Sequence, residues 1–235
     1  LGTEHPYGDA LDVAKTFLES GGEQVMMYNS NYYGVFGVMA NYKDYSKVLK
    51  EVIAPHVYQW KQEWKKEHGT TQNPKDNIGA KVDIDKAIIY IPVNEGTPNV
   101  GAPHFGVAWK AYYDAIHAGD PDATIAGTND WAYNSAFGTY TDENGNTQNY
   151  NLDNFIPYCI ENNCMPDIFT WHELDLGTLV TMAEHKVDFE NKWKKAWTNA
   201  GKKVPELPQI CINEYAQSID CGVPGRLVSW ISSLE

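Results

Sequence analysis

Two kinds of apolar segment alternate along this chain. Long stretches repeat their apolar positions every three or four residues, as helices do, and short runs are apolar on successive residues. Five short runs read as strands: Gln24 to Asn29, Lys86 to Val93, Ala123 to Thr128, Asp167 to His172 and Gln209 to Asn213. Ile88-Ile89-Tyr90-Ile91 is apolar at every position, which suits a strand covered on both faces of a parallel sheet; a sheet with one wet face would alternate. Between these runs, Tyr45, Val48, Leu49, Val52, Ile53, Val57, Trp60 and Trp64 keep helical spacing over several turns. Pro55 is expected to kink that helix or mark its start. Similar stripes join Val107, Ala108, Ala111, Tyr112, Ala115 and Ile116, and Met182, Phe189, Trp193 and Trp197, with a shorter helix over Asp9 to Glu19. The order α-β-α-β-α-β-α-β-α-β-α is that of a parallel α/β protein. The polar stretch Thr139 to Asn151, centred on Asp142-Glu143-Asn144-Gly145-Asn146, predicts a loop or hairpin after the third strand.

Composition narrows the partners. The 235 residues are 43% hydrophobic and 21% charged, enough for one sizeable core, and no linker or repeat divides them. Eighteen Lys and Arg face 31 Asp and Glu, a net charge of -13, the wrong sign for a protein held on phosphates, so no nucleic-acid partner is expected. The longest nearly unbroken apolar run, Ala87 to Val93, falls far short of the ~20 residues of a membrane-spanning helix, and no membrane span is expected. Cys159, Cys164, Cys211 and Cys221 are too few for a disulfide scaffold: the first two could form a small staple or stay free, and Cys211, in an apolar strand, is expected as a thiol. No set of Cys and His has zinc spacing, so neither metal nor other cofactor is expected. Gly96 and Gly101 have P-loop spacing, but Ala102-Pro103 stands where Lys-Ser or Lys-Thr is required. Asp142 to Asn146 offers oxygen ligands, with its glycine too early for a calcium loop.

In parallel α/β folds the chemistry sits where strands end at their C-terminal side. Here those ends are Asn29 to Tyr33, Asn94-Glu95-Gly96, Asn129-Asp130-Trp131, Trp171-His172-Glu173 and Asn213-Glu214-Tyr215. Two of the five place a glutamate directly after an asparagine. Two carboxyl groups on separate strands can face each other across a sugar, one protonating the leaving oxygen while the other attacks the anomeric carbon. Their surroundings must then hold one protonated and the other ionised.

These strand ends resemble those of clan A glycoside hydrolases, retaining enzymes built on a (β/α)8 TIM barrel. Asp44-Tyr45 on a helix, Asn94-Glu95, Tyr112-Tyr113 followed by Pro121, and Asp167-Ile168-Phe169-Thr170-Trp171-His172 together look like glycoside hydrolase family 39, the β-xylosidase and α-iduronidase group. Val93 and Gly96 stand where that group usually has Trp and Pro. The resemblance implies that Glu95 is the acid/base, Glu214 the nucleophile and His172 a neighbour of the nucleophile or substrate. It also implies that the five strands are barrel strands three to seven of eight, in a single catalytic domain over 1–235 that is incomplete at both ends.

The expected function is therefore a retaining glycoside hydrolase acting on a poly- or oligosaccharide. Asn94 would bond a sugar hydroxyl, and Asn29, Trp131, Trp171, His172 and Tyr215 would line the pocket. Such a substrate points to an extracytoplasmic location. Two other readings use the same residues: a carbohydrate-binding protein that keeps the cleft without turnover, and a barrel enzyme whose paired glutamates hold a metal.

Overall fold

The computed structural model of the protein describes residues 10–28, 41–94, 101–174, 178–216, 223–225, 228–229 and 232. The chain divides into two compact units, Leu1–Pro92 with Ala111–Ile125, and Val93–Lys110 with Ala126–Glu235.

In the first unit, α1 (Ala10–Glu19) buries Leu11, Ala14 and Leu18 along one face. Strand β1 (Val25–Tyr28) pairs in parallel with β2 (Ile88–Ile91), Val25 opposite Ile88 and Tyr28 opposite Ile91. All four β2 residues are buried, as their unbroken apolar run predicts. The long helical stripe resolves into α2 (Tyr42–Val48), a widened π turn (Leu49–Ile53) and α3 (Ala54–His68). Asn41 caps α2 by accepting from Lys43 N–H. Pro55 sits in the first turn of α3, where its missing N–H takes no bond from the helix; the widened turn before it absorbs the disturbance that proline causes in a continuous helix. The single turn α4 (Ile84–Ala87) replaces the start of the strand expected from Lys86, because Ala87 N–H bonds back to Asp83 C=O. Helix α5 (Phe105–Gly119) supplies Tyr112, Ala115 and Ile116 to this core. A Cβ at Gly119 would lie 2.7 Å from both Ala54 Cβ and Pro55 Cδ, so α5 can end against the start of α3 only with glycine there.

Strand β3 (Thr124–Asp130) begins in this unit, Thr124 and Ile125 pairing with Ile89 and Tyr90. From Ala126 onward it belongs to the second unit and pairs with β6 (Ile168–Glu173), which pairs with β7 (Gln209–Tyr215), all in parallel. The strand order is β1-β2-β3-β6-β7, with helices between successive parallel strands. This is the α/β class of a partial (β/α) barrel. The polar stretch after β3 forms a hairpin, β4 (Thr139–Thr141) and β5 (Thr147–Asn149), whose turn is held by Asp142 accepting from Asn144 N–H and Asn146 N–H.

Helices α6 (Leu152–Asn162) and α7 (Thr178–Asn199) belong to the same unit. Asn151 and Asn154 cap α6 reciprocally. The core here is aromatic: Phe105, Trp109, Phe137, Phe155, Phe169 and Phe189 are all essentially fully buried. Trp109 satisfies its one polar atom by donating from Nε1 to Cys164 C=O at 2.7 Å, and a Cβ at Gly127 would lie 2.5 Å from the Trp109 ring. Cys159, Cys164 and Cys211 carry free thiols. Among the described residues no helix is long and apolar enough to cross a membrane.

Candidate active site

Three strand ends of the second unit carry the candidate residues, and two of them are shaped by bulges. Along β3 and β6 the pairing runs Thr128 with Thr170, then Asp130 with Trp171, leaving Asn129 as an extra residue. Along β6 and β7 it runs Trp171 with Ile212, then His172 with Glu214, leaving Asn213 extra. Bulges re-aim side chains at the ends of strands. Asn129 has φ of 58°, a left-handed conformation that asparagine tolerates better than most residues.

The two extra asparagines meet. Asn213 Nδ2 donates to Asn129 Oδ1, and Asn129 Nδ2 donates to Asn94 Oδ1 at 2.6 Å. Asn129 is wholly buried and Asn94 nearly so, which makes each of these bonds hard to give up. Asn94 directly precedes Glu95, and Asn213 directly precedes Glu214. One side chain, that of Asn129, therefore ties together the two strand ends that lead into the paired glutamates. Glu95 and Asn29 themselves lie outside the described residues.

Beside this ladder, His172 Nε2 lies 3.5 Å from Glu214 Oε1, with the histidine side chain 0% exposed and the glutamate 40% exposed. A buried imidazole against a carboxylate that reaches solvent places a hydrogen-bonding group next to a carboxylate free to meet a ligand. Trp131 and Tyr215 are exposed at their strand ends.

Trp171 is turned the other way. Strand alternation separates it from His172, and its ring packs against Tyr133 and Phe189, at centroid distances of 5.1 Å and 5.8 Å. Its Nε1 donates to Glu173 Oε1 at 2.7 Å, and His185 Nδ1 lies 2.8 Å from the same oxygen. His185 stacks on Tyr133, whose hydroxyl donates to Asp188 at 2.7 Å. Burial, with the Asp188 hydrogen bond and charge, pushes the Tyr133 phenol far up. The wholly buried Glu173 thus anchors α7 to the sheet behind the site, and Trp171 belongs to that anchor.

No protein-family model matches the chain. Among curated proteins it is similar to the 3-O-β-L-arabinopyranosyl-α-L-arabinofuranosidase of Bifidobacterium pseudocatenulatum, at 23% identity over the whole of this chain and 25% of the relative. That relative is a glycoside hydrolase. Among solved structures it is similar to N2152 from Neocallimastix frontalis, with a TM-score of 0.49, 21% identity, and coverage of 89% of this chain and 42% of that one. A GH39 β-xylosidase from Caulobacter crescentus gives a TM-score of 0.41 at 10% identity, over 86% of this chain and 39% of that one. The chain spans a quarter of the length of the curated relative.

Two residues of the ladder, Asn129 and Asn213, are not among the expected site residues, although both stand at strand ends and Asn213 is the first member of an Asn-Glu pair. Their role depends on bulges, which leave no mark in an apolar pattern. Asn129→Ala is expected to lose roughly 1–2 kcal/mol for the left-handed backbone and a further ~1–3 kcal/mol for the buried partners left without bonds. Asn129→Gly restores the backbone freedom alone and should recover only the first part. Urea denaturation of both variants checks this; an Asn129→Gly variant as stable as the natural protein would mean that the ladder contributes nothing.

Proposed function

We propose that this chain carries the catalytic residues of a retaining glycoside hydrolase, with Glu214 as nucleophile and Glu95 as general acid and then base. The observation that carries this reading is the bonding of Asn94 and Asn213, the residues just before the two glutamates, to the same Asn129 side chain. Similarity to an arabinofuranosidase supports the coarser part, cleavage of a glycosidic bond.

In the first step the Glu95 carboxyl protonates the glycosidic oxygen while Glu214 attacks the anomeric carbon; the carbon–oxygen bond breaks and a glycosyl ester forms. In the second, Glu95, now ionised, takes a proton from water, which attacks the same carbon and releases Glu214. This geometry needs the two carboxyl groups roughly 5–5.5 Å apart. His172, 3.5 Å from Glu214 Oε1, would help to position the nucleophile. Asn94 would bond a hydroxyl of the sugar, and Trp131 and Tyr215 would stack on rings beyond it.

The test is stereochemical. The intact protein is incubated with aryl α-L-arabinofuranosides, β-D-xylosides and β-D-glucosides, and the first anomer released is followed by proton NMR before mutarotation. Retention is expected with at least one of these. Inversion would remove the nucleophile role of Glu214, and saturable binding of glycans with no release would favour the non-catalytic binding protein.

A further inference from the structure

Outside the site, three side chains of the first unit converge at the joint between two helix ends. Glu19 is the last residue of α1, and Glu67 and His68 are the last two of α3. One ligand atom from each lies within 4.8 Å of the others: His68 Nε2 is 3.5 Å from Glu19 Oε1 and 3.9 Å from Glu67 Oε2. Around a tetrahedral zinc with bonds of about 2.0–2.1 Å, neighbouring donors stand about 3.3 Å apart, close to this spacing.

The histidine supplies an independent sign. It is 4% exposed, and its Nε2 has no hydrogen-bond partner among the described residues. Its other nitrogen is committed: Nδ1 lies 2.8 Å from Asp76 Oδ2, while Asp76 Oδ1 accepts from Ile78 N–H and Gly79 N–H. A carboxylate so engaged only accepts, so His68 donates from Nδ1, and Nε2 is left facing the Glu19 and Glu67 carboxylates. A buried ring nitrogen without a hydrogen-bond partner and two carboxylates converging on one point suit a cation held among them. A carboxylate fixing the far nitrogen of a ligating histidine is also the usual outer partner of a bound metal. Lys15 marks the same spot, its Nζ 2.7 Å from Glu67 Oε2 and 3.7 Å from Glu19 Oε1, on a side chain exposed enough to swing away.

We propose that His68, Glu19 and Glu67 form a Zn²⁺ site, with Asp76 orienting the imidazole, water completing the shell and Lys15 as the competing internal cation. A nitrogen donor beside two carboxylates favours zinc over Ca²⁺ and Mg²⁺, which take oxygen ligands. The ion would clamp the end of α1 to the end of α3. Motif spacing predicts no metal because these ligands come from elements far apart in the sequence.

The test is titration of the intact, tag-free, EDTA-stripped protein with zinc chloride by calorimetry, with Tm followed in parallel. Saturable binding that raises Tm is expected, with Mg²⁺ and Ca²⁺ failing to compete. Glu19→Gln and Glu67→Gln, both at partly exposed positions, should each weaken it at least tenfold, Asp76→Asn roughly 10- to 100-fold, and Lys15→Met should tighten it. Zinc binding unchanged in Glu19→Gln and Glu67→Gln would overturn the site. So would the absence of saturable binding in both the natural protein and Lys15→Met.

Discussion

Glu214→Gln should leave the protein folded and its hydrolysis lower by several orders of magnitude. The fold should survive because the Glu214 side chain is 40% exposed, and a neutral isostere there removes no buried charge. Catalysis should not survive, because an amide cannot form the glycosyl ester through which a retaining enzyme works. The companion variant Glu95→Gln separates the two roles. Loss of the acid/base is expected to lower turnover roughly 10²- to 10⁴-fold on substrates with alkyl leaving groups, and much less in the first step with an aryl leaving group that departs without protonation. Adding azide to Glu214→Ala should restore release of the leaving group and give a glycosyl azide of inverted configuration; adding it to Glu95→Ala should give one of retained configuration. Activity of Glu214→Gln within tenfold of the natural protein, at equal Tm, would show that the covalent step uses another residue.

The residues in that pair of experiments are legible in the sequence only in part. Strand positions follow from hydrophobicity because β2 and β6 are buried on both faces, so their runs lack the alternation of a half-wet sheet. From strands in a parallel fold, the polar strand ends follow by a topological rule. Two things lie beyond that reasoning. Which face a strand-end side chain takes depends on register, and bulges shift it: Trp171 and His172 are adjacent in sequence, yet the first joins Glu173 and α7 while the second joins Glu214. Likewise, Asn129 holds the ladder together only because a bulge leaves it unpaired in the strand.

The helix at residues 42–68 shows a third limit. Its apolar stripe includes Tyr45, Leu49, Ile53, Val57 and Trp64, which are buried, but it passes over Lys61, which completes the same buried face. Val52 is 54% exposed, and the position that a stripe would give to an apolar residue belongs to lysine. No hydrophobicity pattern assigns a lysine to a core, because the assignment depends on a partner 59 positions away.

That partner sets the second large effect. Lys61 Nζ and Asp120 Oδ2 are 2.7 Å apart with both side chains 0% exposed, and the Tyr90 hydroxyl donates to the same oxygen at 2.9 Å. Burial and the neighbouring Asp120 charge push the Tyr90 phenol far up, so it remains a donor at any pH in which the protein is handled. A buried ion pair contributes little net stability as a pair, since desolvating two charges offsets their attraction, but removing one partner strands the other. Asp120→Ala is therefore expected to cost about 3–5 kcal/mol, a large share of the roughly 5–15 kcal/mol that holds a domain together. Lys61→Met should cost a similar amount by leaving the carboxylate with only Tyr90. Tyr90→Phe, which removes a single hydrogen bond, should cost about 1 kcal/mol. The double variant Lys61→Met/Asp120→Ala strands no charge and should lose well less than the sum of the single losses, with a coupling of roughly 1–3 kcal/mol in a double-mutant cycle. Urea denaturation of the four variants reads this directly: additive losses would mean that each residue acts alone, and a loss below about 1 kcal/mol for Asp120→Ala would mean that water reaches Lys61.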